Sequence, residues 1–219
     1  LTLSSLLDVF FTNAYAIIIG KYFAVAQVGF YNRAESLKQF PVESIGAILN
    51  KVTFPLFADI KDDDVRLKSA YKNIMQIVVF LVAPLLLFMA ALGEPLFRFL
   101  FTERWLPAVP YFQILVFNGI LYPMHSYNLN ILKVKGRSDL FLKLEIIKKA
   151  LITLVVFISF QYGIYGLLYG SVLTSVLAFF INTHYTGKYL KYSSLEQIKD
   201  LLPIILLALG CGALVFFID

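Results

Sequence analysis

The chain has 219 residues, of which 59% are hydrophobic and 15% charged, and its mean hydropathy is +0.78. A soluble domain of this length has too little interior to bury so much apolar sequence, so the composition excludes an ordinary soluble protein. The formal net charge of +5 is explained by cations beside anionic lipid headgroups and requires no nucleic-acid partner. The single cysteine excludes a disulfide framework and a thiolate metal site.

Seven apolar runs predict membrane-spanning helices. Each run is near the ~20 residues that a helix needs to cross ~30 Å of hydrocarbon. The runs lack the alternation of barrel strands, and lipid cannot satisfy free backbone groups, so we predict an all-α polytopic membrane bundle. The predicted spans are residues 3–24, 39–58, 72–92, 108–132, 140–160, 163–186 and 201–218.

Lysine and arginine are divided unevenly between the predicted loops. The even-numbered loops hold thirteen of them and the odd-numbered loops five. Cytoplasmic loops carry the excess of cations, so the even loops and the N-terminal end of the chain are predicted to be cytoplasmic. The chain begins at Leu1 inside an apolar run and ends directly after the seventh run. We therefore interpret residues 1–219 as a fragment of a longer protein.

Several boundaries between the first four runs can be predicted from turn and cap residues. The segment 29–35 is aromatic and basic and is predicted to be a loop, with the second span starting near Pro41 and kinking at Pro55. The acidic run 62–64 is interpreted as a helix N-cap, although a metal or pyrophosphate site is the alternative. Residues 96–101 are predicted to form a half-helix in the third loop.

Two later boundaries are also marked in the sequence. Gly136 is the predicted turn of a basic hairpin, and Ser138 or Asp139 is the predicted N-cap of the next helix. Ser193 and Ser194, followed by Glu196 and Gln197, predict a capped surface helix.

Ionisable side chains at span depth are the strongest functional candidates. A charge at the bilayer centre costs about 2.5–3.5 kcal/mol, so such residues usually face a cavity or one another. Glu43, Asn50 and Lys51 lie in the second run and Asp8 in the first, and together they could line a polar interior. Lys51 is predicted either to bind an anionic headgroup, or to pair with Glu43 or Asp8, or to snorkel towards the cytoplasmic edge.

Other candidates are weaker. Arg33 and Lys38 are predicted to lie on the outer side, where they could meet a pyrophosphate or sugar at an exit or merely contact headgroup phosphate. His125 and His184 lie on different spans without an obvious partner. Phosphate-loop, serine-hydrolase and zinc-protease motifs are absent, so we predict neither an enzyme nor a bound cofactor or metal.

Four stretches go beyond a generic membrane protein. Residues 18–41 read IIGKYFAVAQVGFYNRAESLKQFP, and residues 54–60 read FPLFADI. Residues 94–101 read EPLFRFLF and are followed by RWLPAVP, and residues 136–140 read GRSDL. In this order and spacing they resemble the Wzx-type oligosaccharide flippases, in the colanic-acid and teichuronic-acid exporter branch of the multidrug/oligosaccharidyl-lipid/polysaccharide superfamily. The resemblance covers about 160 of the 219 residues.

The resemblance implies a transporter with two bundles of six helices around a central cationic cavity, of which this chain is the C-terminal bundle. It implies translocation of undecaprenyl-pyrophosphate-linked oligosaccharide across the bacterial plasma membrane by alternating access. Membrane lipid and other polysaccharide-assembly proteins are further candidate partners. We carry the cationic substrate-binding role over to Lys51 and Arg33.

Three other functions are compatible with the sequence. A drug or metabolite antiporter of the same superfamily would need an acidic cavity, whereas the deep residues here are mixed in sign. A membrane-embedded glycan-assembly enzyme would need a catalytic cluster in a large outer loop, and the longest predicted outer loop is under twenty residues. The third alternative is a scaffold subunit without transport activity.

Overall fold

The computed structural model of the chain describes residue 15 and residues 17–218. All regular secondary structure in this part of the chain is helical, which confirms the predicted all-α class. Residues 17–22 are helical and are called α1. The later helices are α2 (Val25–Asp59), α3 (Asp64–Ala91), α4 (Gly93–Phe101), α5 (Val109–Val134), α6 (Ser138–Ser159), α7 (Gly163–Leu190) and α8 (Ser194–Ile218), with 3-10 turns at Glu103–Ala108 and Phe160–Tyr162.

Four helical segments in the described residues are long and apolar enough to cross a membrane. They are Asp64–Ala91, Glu103–Val134, Ser138–Leu190 and Ser194–Phe217, and the third contains both α6 and α7. A multi-pass helical membrane protein is therefore the observed class. The count of seven spans stays a prediction, because most of the first run lies outside the described residues and α2 is not among the four segments.

The predicted loop at residues 29–35 is wrong, because α2 runs without interruption through it for 35 residues. Tyr31, Ala34 and Lys38 are buried at helical spacing, so this segment packs as one face of a helix despite its basic and aromatic composition. Pro41 consequently lies in the interior of α2 rather than in its first turn. The N-cap of α2 is instead Ala24, whose N–H donates to Gln27 Oε1 (3.3 Å).

Two predicted turn residues are confirmed and one predicted cap is wrong. Asp63 Oδ1 accepts from the N–H groups of Val65 (3.1 Å) and Arg66 (3.0 Å), as expected of an N-cap. Gly136 has φ +70°, the left-handed conformation that a glycine turn supplies without strain. Neither Ser138 nor Asp139 caps α6, because the helix already begins at Ser138.

The remaining boundary predictions are confirmed in part. Ser193 and Glu196 form a capping box, in which the Ser193 N–H donates to Glu196 Oε2 (2.9 Å) and the Glu196 N–H donates to Ser193 Oγ (3.3 Å). The helix that they start is not a separate surface helix, because α8 continues through the last apolar run. The half-helix predicted at 96–101 is the second part of α4.

The bundle is held by long helix pairs: α3 packs along α8, and α5 packs along both α7 and α2. Gly119 of α5 lies where α2, α3 and α5 meet. A Cβ atom at this position would stand 2.6 Å from Leu86 Cδ1 and 3.0 Å from Lys38 Cγ. The missing side chain therefore makes room for the aliphatic part of Lys38, which is the residue that α2 contributes to the site described next.

Candidate functional site

A polar cavity of about 340 Å³ lies among α2, α5, α6 and α7, with Tyr15 also in its lining. Larger cavities occur among the described residues. One of about 620 Å³ between α6 and α7 has no charged side chain in its lining, and one of about 430 Å³ is lined by two, Glu94 and Arg98. The polar cavity is different because five charged side chains line it: Glu35, Lys38, Glu145, Lys148 and Lys149. Charges at this depth are costly unless they are paired or functional.

The α2 wall contributes an ion pair. The Lys38 ammonium lies 2.5 Å from Glu35 Oε1, one helical turn away. Lys38 is only 6% exposed, and Glu35 is half-buried. The lysine is therefore held in the cavity wall by its carboxylate partner on one side and by the space at Gly119 on the other.

The α6 wall contributes a carboxylate between two cations. Glu145, which is 3% exposed, accepts a hydrogen bond from Lys148 and lies 3.7 Å from the Lys149 ammonium. Positions 145, 148 and 149 share a face because residues three and four apart are neighbours on a helix. With the α2 pair, the described residues of the lining include three lysines and two glutamates, which gives this part of the lining one positive charge in excess.

The wall formed by α5 and α7 is polar but carries no formal charge. Asn118 Nδ2 donates to Ser171 Oγ (2.8 Å), and Asn182 Nδ2 lies 3.4 Å from His125 Nδ1. Three atoms of this wall are buried without a hydrogen-bond partner: Asn118 Oδ1, His125 Nε2 and Asn182 Oδ1. Among the described residues, no group of three His, Cys, Asp or Glu side chains is placed to hold a metal ion.

The residues predicted from sequence to bind substrate lie elsewhere on α2 or outside the described residues. Glu43 is exposed and accepts from Gln39 Nε2 (2.6 Å), and Asn50 accepts from Asn130 Nδ2 (3.2 Å). Lys51 is exposed and forms no ion pair with any residue that the structure describes. Asp8 is not among the described residues. Neither Glu43, Asn50 nor Lys51 lines the cavity, and the substrate roles of all four residues stay predictions.

Arg33, the fifth predicted residue, packs on aromatic rings. Its guanidinium carbon lies 4.6 Å from the centroid of the Phe101 ring and 4.7 Å from that of Trp105. The contact joins α2 to the end of α4 and the turn that follows it. This arrangement shows how Arg33 is held, while its role towards substrate stays a prediction.

Sequence reasoning missed the α6 residues although a signal was present. Glu145, Lys148 and Lys149 lie inside the predicted span 140–160, yet the thirteen cations assigned to the even-numbered loops include these two lysines. The spacing of three and four residues would have placed them together on one helical face. For Asn118 and Asn182 no such signal existed, because single amides in apolar runs are indistinguishable from packing residues.

Comparison with known proteins establishes the family. Residues 1–110, just over half of the chain, match the family described as polysaccharide biosynthesis protein, and the chain belongs to that family. It is 31% identical over 128 residues to the teichuronic acid biosynthesis protein TuaB of Bacillus subtilis, a match that covers 58% of this chain and 26% of that protein. No solved structure matches the chain.

Two further relatives carry names that concern surface polysaccharides. The lipopolysaccharide biosynthesis protein WzxC of Escherichia coli is 25% identical over 186 residues, covering 83% of this chain and 38% of that protein. The succinoglycan biosynthesis transport protein ExoT of Rhizobium meliloti is 28% identical over 112 residues, covering 51% of this chain and 23% of that protein. The chain thus spans well under half the length of these three relatives, and the resemblance to Wzx-type exporters is confirmed.

Proposed function

We propose that the protein containing this chain translocates undecaprenyl-pyrophosphate-linked oligosaccharide units across the bacterial plasma membrane. The observation that carries the proposal is the cavity between α2 and the candidate membrane helices α5, α6 and α7, whose lining includes Lys38, Lys148 and Lys149. Moving two phosphate charges through hydrocarbon unaided is prohibitively costly, and buried ammonium groups offset that cost through charge-assisted hydrogen bonds.

The two glutamates stabilise the cavity lysines while the cavity is empty. Glu35 and Glu145 neutralise the lysines while no anion is present, because an unpaired buried ammonium is strongly unfavourable. An arriving pyrophosphate competes with these carboxylates for the same ammonium groups and is favoured by the one positive charge in excess. The same excess disfavours cationic drugs, so it supports the flippase over an antiporter for cationic substrates.

The polyprenyl tail stays in lipid while the cavity shelters the sugar and the pyrophosphate. In this proposal the chain is the C-terminal bundle, residues 1–219, with its N-terminal end in the cytoplasm, and the rest of the protein supplies the facing bundle. Rocking of the two bundles moves the opening from one membrane surface to the other. The protein acts as a transporter without enzymatic activity, alongside other polysaccharide-assembly proteins.

The test is complementation in a bacterium that lacks its own flippase. The natural full-length gene is compared with the double variant Lys148→Met/Lys149→Met and with Lys143→Met, a matched lysine that is exposed on the same helix. We expect the wild type and Lys143→Met to restore surface polysaccharide, and the double variant to accumulate the lipid-linked precursor instead. Equal surface polysaccharide in all three strains would contradict the role of the cavity.

A further inference from the structure

We propose that the α5–α7 wall of the polar cavity is a saccharide-binding subsite, in which Asn118, His125 and Asn182 bind sugar hydroxyls. This inference rests on the proposed function and divides the cavity by chemistry. The walls on α2 and α6, which carry the lysines, bind the pyrophosphate, and the neutral α5–α7 wall binds the adjoining sugar. No charged side chain of α5 or α7 lines the cavity.

The first argument is that this wall lacks hydrogen-bond partners of its own. Asn182 is fully buried, yet its Oδ1 has no partner among the described residues, and the same holds for Asn118 Oδ1. Leaving one such acceptor unsatisfied costs about 1–3 kcal/mol, and folded proteins rarely tolerate it without cause. Two orphaned amide oxygens and one imidazole nitrogen on a single cavity wall therefore indicate that a polar ligand completes it.

The second argument concerns the kind of ligand. An amide oxygen only accepts hydrogen bonds, so its partner must carry a donor, and a pyrophosphate esterified at both ends is fully ionised at neutral pH and supplies none. When His125 Nδ1 accepts from the Asn182 amide, His125 Nε2 carries the proton and becomes a donor. The wall then offers two acceptors and one donor. Hydroxyl groups both donate and accept, and a ring that bears several of them matches this set.

The third argument excludes a cation as the occupant. Neither α5 nor α7 contains an aspartate or glutamate, and the two glutamates that line the cavity from α2 and α6 are both paired with lysines. Alkali and alkaline-earth cations prefer sites built from several oxygens that include carboxylates. The described side chains that line the cavity carry one positive charge in excess, which disfavours a cation and does not affect a neutral sugar.

Binding requires a small rearrangement, because both amide oxygens are covered by neighbouring side chains in this structure. The terminal torsion of asparagine is broad and permits rotation at little cost. Tyr15, Tyr31 and Tyr122 also line the cavity.

The experiment measures dissociation constants of the purified full-length protein for three short-chain probes. Citronellyl methyl pyrophosphate is a diester that has the anion but no sugar, and the other two probes carry one glucose or one N-acetylglucosamine in place of the methyl group. Asn182→Leu and Asn118→Leu remove the amides at nearly constant volume. Asn73→Leu is the matched control, because Asn73 is exposed on α3 and does not line the cavity.

We expect the wild type to bind a sugar-bearing probe at least tenfold more tightly than the bare probe. In Asn182→Leu and Asn118→Leu this advantage falls to less than threefold while binding of the bare probe is unchanged, which also shows that the variants fold. Asn73→Leu retains the full advantage.

The contrary results separate the two proposals. Equal wild-type affinity for the bare and sugar-bearing probes overturns the saccharide subsite and leaves the flippase proposal standing. If both amide variants lose affinity for all three probes to the same extent, the saccharide subsite is also overturned, because the effect is then not specific to the sugar. Failure of the wild type to bind any probe overturns the proposed function and this inference with it.

Discussion

Asn128 of α5 and Gln197 of α8 exchange two hydrogen bonds inside the bundle. Asn128 Nδ2 donates to Gln197 Oε1 (3.1 Å), and Gln197 Nε2 donates to Asn128 Oδ1 (3.2 Å). Both residues are buried, and each amide makes one further hydrogen bond, to Met124 O and to Tyr192 O respectively. The start of α8 is thus fixed to the middle of the bundle by a satisfied polar pair.

Gln197→Leu is expected to lower the free energy of unfolding by about 1–3 kcal/mol, because it leaves the Asn128 amide buried without its partner. The double variant Asn128→Leu/Gln197→Leu should recover part of this loss, since no unsatisfied amide remains. Thermal unfolding in detergent measures both effects, with Asn73→Leu as the control. If the double variant lost as much stability as the sum of the losses in Gln197→Leu and Asn128→Leu, the pairing would be contradicted.

Gly119→Val is expected to reduce export as well as stability. The added side chain overlaps Leu86 and the methylene groups of Lys38, so it pushes the lysine away from Glu35. Overpacking of this kind costs about 1–3 kcal/mol. The control is Gly46→Ala on α2, where an added Cβ meets nothing within 4 Å. Complementation and melting temperature are measured together, and normal export by Gly119→Val would show that Lys38 needs no such space.

Arg33→Met is expected to change the emission of Trp105, the only tryptophan of the chain, because the guanidinium no longer lies over its ring. The loss of the cation–π contacts should cost about 0.5–2 kcal/mol. The Trp105 contribution is isolated by subtracting the spectrum of Trp105→Phe. If export falls more than tenfold while the protein is inserted at the wild-type level, Arg33 acts on substrate, as the sequence predicts, in addition to packing on the aromatic rings.

Tyr192 should make stability depend on alkaline pH. Burial, followed by the hydrogen bond that its hydroxyl donates to Asp200 Oδ2 (2.7 Å), raises the pKa of Tyr192 above its ordinary value of 10.0. A raised pKa in the folded state means that the stabilisation is complete below pH 10 and is lost as the pH rises towards the folded-state pKa. Unfolding measured at pH 9 and at pH 11 should show a smaller difference in Tyr192→Phe than in wild type.

The sequence was a good guide to class and a poorer guide to the site. Long apolar runs dictate helices in lipid whatever their neighbours, and caps such as Asp63 act locally, so both could be predicted. The continuity of α2 could not, because residues 29–35 stay helical through packing against α5 and the 3-10 turn Glu103–Ala108, which only the tertiary structure shows. The cavity depends on which faces of four helices meet, and Lys38 and Glu145 are brought to it by that packing.

The unbroken length of α2 has a mechanical consequence. Its 35 residues extend about 52 Å at 1.5 Å per residue, against about 30 Å of hydrocarbon. Arg33 and Asn50 therefore lie on one continuous helix, with Lys38 between them. Pro41 and Pro55 are the interior prolines of this helix. A tilt of α2 about its middle would move its two ends in opposite directions. Such a tilt would couple a change near Arg33 to a change near Asn50 without any signal passing through a loop.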